Sequence, residues 1–375
     1  MVQNEFMTNT DRKKTIVYVG AFNLNDFNAS AIRAINIARC FEKLGYKTII
    51  CGYSECNCFT KLFSESIKLV NFKRDNSFKD FFDFSTNITN LIDFVKGCKA
   101  VICYNFPFIA SFKIRRLCKK NGSLFLCDCT EWYSPKDNNI IVRSFKIIDS
   151  TLRMRVMNKI NDGLIVISKR LFSLYNSNSK NVILIPPLND AKVEIPVKEM
   201  SKEKIEFSYC GFTDKTKDDL DLIVRTFDEI CMQYDNVFLT IIGTRKDEIN
   251  YSPLSTNITF FGNVPHDRAL ELLSKSNCTI LIRKNNRRND YGFPTKFSES
   301  LSLGVPIISN NFSDIKDFIE GNGYLINTKT FKDELVDIIN HNKLKKIKII
   351  NNHLSYKHYI NVFNHFFSSM EVDND

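Results

Sequence analysis

The sequence predicts an α/β protein made of two doubly wound, Rossmann-like domains. Three observations carry that prediction. Short apolar runs alternate with helix-spaced segments from residue 15 to about residue 185; a polar, charged stretch interrupts them over 188–203; and the same rhythm restarts at Ile205. Alternating strands and helices imply a parallel sheet with helices on both faces, because a parallel crossover needs a helix-length connection. At 375 residues and 43% apolar content, two cores of ordinary size can be filled.

The elements follow in order. The run 15–19 ends at Gly20 and predicts the first strand. Ile32, Ile35, Ile37, Ala38, Phe41 and Leu44 then recur at helical spacing and stop at Gly45, with Ser30 placed to cap this first long helix. Runs 47–51, 100–104, 123–127 and 164–167 predict further strands, while the block 54–85 has no clear period and receives no assignment. The run 182–185 and Pro186-Pro187 close the half, and 188–203 reads as a linker. In the second half, runs 205–210, 238–242, 258–261 and 279–282 reach Gly211, Gly243, Gly262 and Arg283, with a leucine-rich helix 268–274 between the last two. The predicted division is 1–190, 200–355 and a terminal aromatic helix within 356–375.

Composition narrows the class. No apolar run approaches the length of a spanning helix, and the first 14 residues are polar without the apolar core of a secretory signal. Twelve irregularly spaced cysteines suggest thiols in a reducing cytosol. The C-x-C pairs Cys56/Cys58 and Cys127/Cys129 have neither a second pair nor a nearby histidine, so no metal site is expected. Residues 1–190 hold 28 Lys+Arg against 16 Asp+Glu, a net of +12; the remainder holds 24 against 26, a net of −2, giving the overall +10. The basic half, with clusters at 113–120 and 153–159, reads either as a solvated surface or as attraction to an anionic membrane surface or lipid phosphate. No nucleic-acid motif accompanies the charge, so nucleic acid is not expected as a partner.

The most informative stretch is 290–310, DYGFPTKFSESLSLGVPIISN. It reads as loop, short helix, turn and buried strand. Free N–H groups of Gly292, Phe293 and Thr295, around Pro294, sit at a loop-to-helix junction that favours an anion. Lys296 adds a cation. Glu299, three residues on and on the same helical face, can accept hydrogen bonds from a vicinal diol such as a ribose. An anion site beside a diol acceptor fits a nucleotide diphosphate.

These residues resemble the donor-site motif of the retaining family-4 glycosyltransferases of the GT-B fold. Glu299 matches the second glutamate of that motif, and Gly304 and Pro306 match its closing turn. Tyr291 stands where the first glutamate falls, and the segment is similar to a Phe-Pro-Thr-Lys-Phe variant seen in bacterial polysaccharide transferases. The resemblance covers most of 15–370 and implies two Rossmann-like domains facing a cleft, the last helix crossing back to the first. It also implies a nucleotide diphosphate-sugar donor and no further cofactor. On the same grounds Gly211 matches the turn after the donor domain's first strand, Phe212 stands at the family's arginine position and Lys217 at its lysine position. The loop holding Val264 resembles the one that brackets the nucleobase, and Arg283, at a strand's C-terminal end, is the arginine best placed for phosphate. His266, next after that loop, reads as a cap or surface residue.

All five histidines lie at or after position 266, so the first domain offers no histidine base. The front-face mechanism inferred for the family needs none: the leaving phosphate takes the acceptor proton, and Lys217 and Lys296 would stabilise its charge. In the first domain the segment from Cys127 to Tyr133 follows a strand, which predicts Asp128 and Glu131 at the C-terminal edge of the sheet beside Trp132. Glu131 is the candidate contact for sugar or acceptor. The expectation is a cytoplasmic enzyme, at the inner face of the membrane, moving a sugar to a saccharide or lipid-linked acceptor in surface polysaccharide assembly. A sugar-nucleotide epimerase of the same fold and a non-catalytic binding subunit are the alternatives.

Overall fold

The computed structural model describes residues 12–54, 58–73, 91–132, 140–177, 181–190, 204–211, 216–347 and 353–372. The chain divides into two compact units. Unit 1 takes Met1–Leu188 together with Tyr356–Asp375, and unit 2 is the uninterrupted Asn189–Ser355.

Unit 1 is built on one sheet of eight strands: β1 (Thr15–Gly20), β2 (Lys47–Ser54), β3 (Phe59–Leu62), β4 (Ile67–Lys73), β5 (Ala100–Tyr104), β6 (Leu124–Cys129), β7 (Gly163–Val166) and β8 (Val182–Leu184). Their spatial order is β3-β4-β2-β1-β5-β6-β7-β8, parallel throughout except for β3. Chain order reverses between β1 and β5, the signature of a doubly wound sheet. The unassigned block therefore contains two strands. β3 and β4 form an antiparallel hairpin on the sheet's edge, closed by serines 64 and 66 without glycine or proline, so the usual turn signal is missing. Residues 55–57 and 74–85 of that block lie outside the described residues.

Helix α1 (Ala29–Lys43) starts one residue before Ser30. Its cap is Asn28, whose side chain accepts from the Ala31 N–H at 3.1 Å, while Ser30 donates its hydroxyl to Asn28 at 2.9 Å. An amide oxygen two residues upstream thus replaces the expected serine cap. The buried face of α1 carries Ala34, Ile37, Ala38 and Phe41 against the sheet. It also buries Arg33. The guanidinium grips Asp128 on β6 with two hydrogen bonds, Nε to Oδ2 at 2.8 Å and Nη2 to Oδ1 at 2.9 Å, and Nη1 donates to the carbonyls of Ile185 and Pro186. Tyr18 of β1 donates its hydroxyl to the same carboxylate. Asp128 does stand at the C-terminal end of β6, but its carboxylate is turned into the core and not toward an open edge. It is a core residue with every oxygen engaged, because β6 buries both faces and an ion in such a place must be paired.

The terminal segment belongs to unit 1. A 3₁₀ turn at Tyr356–Tyr359 leads into the last helix (Ile360–Val372), whose Phe363 and Phe367 meet Phe41 edge-on at 4.9 and 5.6 Å. Unit 1 also contains α2 (Phe108–Asn121), α3 (Ile140–Leu152) and α4 (Lys169–Tyr175). A π-helical turn, Arg153–Met157, follows α3. Within the basic cluster 153–159, Arg153 faces inward: it is buried and donates to the Asn105 carbonyl at 2.7 Å.

Unit 2 holds a wholly parallel six-stranded sheet: β9 (Ile205–Cys210), β10 (Val237–Ile242), β11 (Ile258–Phe260), β12 (Cys278–Leu281), β13 (Ile307–Asn310) and β14 (Gly323–Ile326), in the order β11-β10-β9-β12-β13-β14. The reversal falls between β9 and β12. Helix α5 (Leu220–Cys231) buries Ile223, Val224, Phe227 and Ile230, and Phe227 meets Phe207 of β9 at 5.1 Å. Helices α6 (His266–Ser274), α7 (Arg287–Tyr291), α8 (Thr295–Ser302), α9 (Ile315–Ile319) and α10 (Phe331–Asn340) complete the unit.

Candidate functional site

Open α/β sheets bind ligands beyond the carboxyl ends of the strands, where the strand order reverses. In unit 2 that place is the pair of strand ends at Gly211 and Arg283. The loop 216–219 is stapled to the loop 283–289: Lys284 N–H donates to the Lys217 carbonyl at 3.0 Å, Asn289 to the same carbonyl at 2.8 Å, and Asn286 to Thr216 at 2.8 Å. These side-chain amides fix the backbone around Asp218.

Asp218 organises the site. It is buried, and it accepts the Tyr209 hydroxyl at 2.7 Å and the Lys296 ammonium. Arg283 Nε lies 3.0 Å from its other oxygen, an ion pair whose N–H is not aimed at that oxygen. Burial alone would raise the Asp218 pKa, but the charges of Lys296 and Arg283 outweigh it and hold the carboxyl down at about 2. Lys296 also donates to the Tyr209 hydroxyl at 2.8 Å and lies 4.3 Å from its ring centroid. Burial opposes its charge, yet Tyr209 and Asp218 hold its pKa above the ordinary lysine value. The two cations exceed the one carboxylate, so the cluster keeps a surplus positive charge.

Gly211 makes this arrangement fit. A Cβ there would stand 2.1 Å from Lys296 Cε, and the backbone adopts φ +151°, a conformation left to glycine. Gly243 lies against it: Gly211 N–H donates to Ile242 at 2.8 Å, Gly243 N–H to Gly262 at 2.7 Å, and the Thr244 hydroxyl to the Gly211 carbonyl at 2.9 Å. The sheet's ladder therefore continues through the glycine turns.

The predicted donor residues fall into groups. Lys296 and Arg283 meet at Asp218, and Lys217 is its chain neighbour. Gly292, Phe293, Pro294 and Thr295 lead into α8. The Gly292 carbonyl accepts from Ser313, and Phe293 is buried edge-on against Phe297 at 5.7 Å and Phe318 at 5.3 Å, so its ring anchors the loop. Glu299 is half-buried; burial raises its pKa while the charges of His266 and Lys296 pull it back. Val264 packs with Ile242, Leu272 and Leu273 beside the start of α6. Arg287 is exposed. Phe212 lies outside the described residues, as does Tyr133. Sequence reasoning passed over Asp218, one acid in a run of charges, and Tyr209, which reads as a strand residue. It gave His266 a cap or surface role, and the residue is the half-buried first residue of α6.

Glu131 lies in unit 1, half-buried just past the end of β6 and followed by a half-buried Trp132. The strand ends beneath it are locked together. Asn105, at φ +42°, donates to the Thr130 hydroxyl at 2.6 Å and accepts from the Thr130 N–H at 3.2 Å, and Thr130 donates to Tyr104 at 3.1 Å.

Residues 192–354 match the family model described as glycosyl transferases group 1. The second unit carries a group 1 glycosyltransferase domain. Glycosyl transfer is with that the enzyme class of the chain. The chain is similar in structure to sucrose-phosphate synthase from Thermosynechococcus elongatus, with TM-score 0.69, 13% identity, and 96% of this chain and 100% of that one covered. It is similar to HepE from Anabaena, solved with UDP-glucose, at TM-score 0.66 and 9% identity, covering 95% and 99%. WaaG, a glycosyltransferase involved in lipopolysaccharide biosynthesis, gives TM-score 0.60 at 11% identity, covering 92% and 95%. At such identities the likeness is one of fold, and that fold is GT-B. No curated protein matches the sequence. In the group 1 domain, the Asp218 cluster and Glu299 sit at one end of one sheet, so a surplus of positive charge and a half-buried carboxylate are neighbours.

Proposed function

We infer that the chain is a retaining glycosyltransferase that takes a sugar from a nucleotide diphosphate-sugar and passes it to a saccharide or lipid-linked acceptor in surface polysaccharide assembly. The observation that carries this reading is the cationic cluster Lys296–Asp218–Arg283 at the strand-order reversal of a group 1 domain, with Glu299 beside it. The surplus positive charge suits a diphosphate, and the Glu299 carboxylate suits the ribose hydroxyls. In the transfer, the bond from the sugar's anomeric carbon to phosphate breaks and a bond to the acceptor oxygen forms on the same face. The acceptor proton passes to the departing phosphate. Lys217, Lys296 and Arg283 hold the charge that grows there, a contribution made in the transition state and therefore catalytic. Glu131, with Trp132, contacts sugar or acceptor. The enzyme works in the cytoplasm, at the membrane's inner face; no helix among the described residues is long and apolar enough to cross a membrane.

The test is thermal stabilisation by UDP-, GDP-, ADP- and CMP-sugars, wild type beside Glu299→Ala. Stabilisation by one nucleotide series, lost in the variant, is the expected result. No stabilisation by any series would remove Lys217, Lys296 and Glu299 as a donor site. Stabilisation without hydrolysis or transfer across acceptors would favour a non-catalytic binding subunit.

A further inference from the structure

Helix α3 turns its apolar side outward. Ile140, Ile147 and Ile148 are 77%, 44% and 54% exposed, whereas the one fully buried residue of the helix is Ser150. At 3.6 residues per turn these isoleucines share one face, an arc of roughly 160° that also takes in Ile141 and Phe145. The neighbouring α2 adds Ile109 and Phe112, 45% and 39% exposed. A helix packed against a core presents the opposite pattern, and contiguous exposed apolar surface marks a binding face.

The rim of this face is cationic. Arg116, Lys119 and Lys120 of α2 are exposed, as are Arg143 of α3 and Arg155 just beyond it. The one carboxylate on either helix, Asp149, is turned away to cap α2, accepting the Phe108 N–H at 2.8 Å. Apolar centre and cationic rim together select the occupant. A second copy of the chain would bring like charges together around the rim. A lipid bilayer supplies hydrocarbon for the isoleucines and phosphate headgroups for the lysines and arginines at the matching depth.

We propose that α3, flanked by α2, is an interfacial helix that seats unit 1 on an anionic lipid surface. The helix lies flat, with Ile140, Ile147 and Ile148 below the headgroups and the basic residues among them. The inference is independent of the donor-site reading; where that reading also holds, the contact would keep the enzyme beside a lipid-linked acceptor.

The experiment is vesicle flotation of the full chain with phosphatidylcholine alone and with phosphatidylcholine plus phosphatidylglycerol. Two variants accompany the wild type: Ile147→Asp/Ile148→Asp and Lys119→Glu/Lys120→Glu, each checked for unchanged far-UV circular dichroism. Wild type should float with the anionic vesicles and not with neutral ones. Both variants should lose at least ten-fold in bound fraction, since each removes several methylenes or charges from the contact. Wild type remaining at the bottom with anionic vesicles overturns the proposal. So does undiminished binding of the isoleucine variant, which would mean headgroup charge alone. A wild-type dimer by light scattering that becomes monomeric in the isoleucine variant would assign the face to a second copy instead.

Discussion

The ammonium of Lys296 fills the space where a side chain at position 211 would begin: a Cβ on Gly211 would lie 2.2 Å from Nζ. The lysine is the far end of a flexible chain, so it can be pushed aside while the sheet survives. Gly211→Ala should therefore keep the fold, with strain of about 1–3 kcal/mol from the backbone conformation, and expel Lys296 from Tyr209 and Asp218. Donor affinity, read by calorimetry, should fall roughly ten-fold, the worth of one charge-assisted hydrogen bond. Unchanged affinity would separate Lys296 from the donor.

Asp218 predicts a pH signature. Its folded pKa, about 2, lies below the ordinary 3.8. A depressed carboxyl contributes stability that is complete above about pH 4 and lost as the pH falls through about 2. The contribution is on the order of 2 kcal/mol. In urea titrations followed by circular dichroism, the gap between wild type and Asp218→Asn should narrow from pH 5 to pH 2. A gap constant over that range would deny the ion cluster its role in the fold.

Glu299 carries the opposite shift. Burial raises its pKa above 4.5, so the proton is kept into mildly acidic solution. If the ionised form accepts the ribose hydroxyls, donor affinity should climb with pH through the acid range in the wild type and stay flat in Glu299→Gln. The size of the climb should be about ten-fold or more. A parallel climb in both proteins would place the titration elsewhere.

The Arg33–Asp128 pair predicts a large local cost. Asp128→Ala leaves a buried guanidinium unpaired, which should cost about 3–5 kcal/mol. Trp132, the chain's one tryptophan, stands in unit 1 and reports its unfolding by fluorescence. Arg33→Met with Asp128→Leu should restore only part, because the carbonyls of Ile185 and Pro186 still lose their donor. A neutral Asp128→Ala would overturn this account.

The two doubly wound sheets were legible because strands buried on both faces leave continuous apolar runs, and helices that bury one face leave apolar residues at 3.6-residue spacing. The β3–β4 hairpin was not, since its turn is held by the Ser64 hydroxyl, which accepts from the Ser66 and Ile67 N–H groups, and its strands lack alternation. Arg33 did leave a signal: it falls four residues before Ile37 on the buried face of α1, a place where an ion demands a partner in the core. Nothing along the chain announces that the partner is Asp128. In the same way the motif around Lys296 pointed to the candidate site, while Asp218, which joins residues 209, 283 and 296, is recognisable only once β9 and β12 are neighbours.

Unit 1 is assembled from the two extremities of the chain, with unit 2 inserted between them. The inserted unit draws on one uninterrupted stretch, whereas the earlier unit is not closed until Phe363 and Phe367, from beyond that stretch, cover Phe41. The first-made half is thus the last to be finished. Cutting the chain between Ser355 and Tyr356 would leave the second sheet whole and uncover Phe41 in the first.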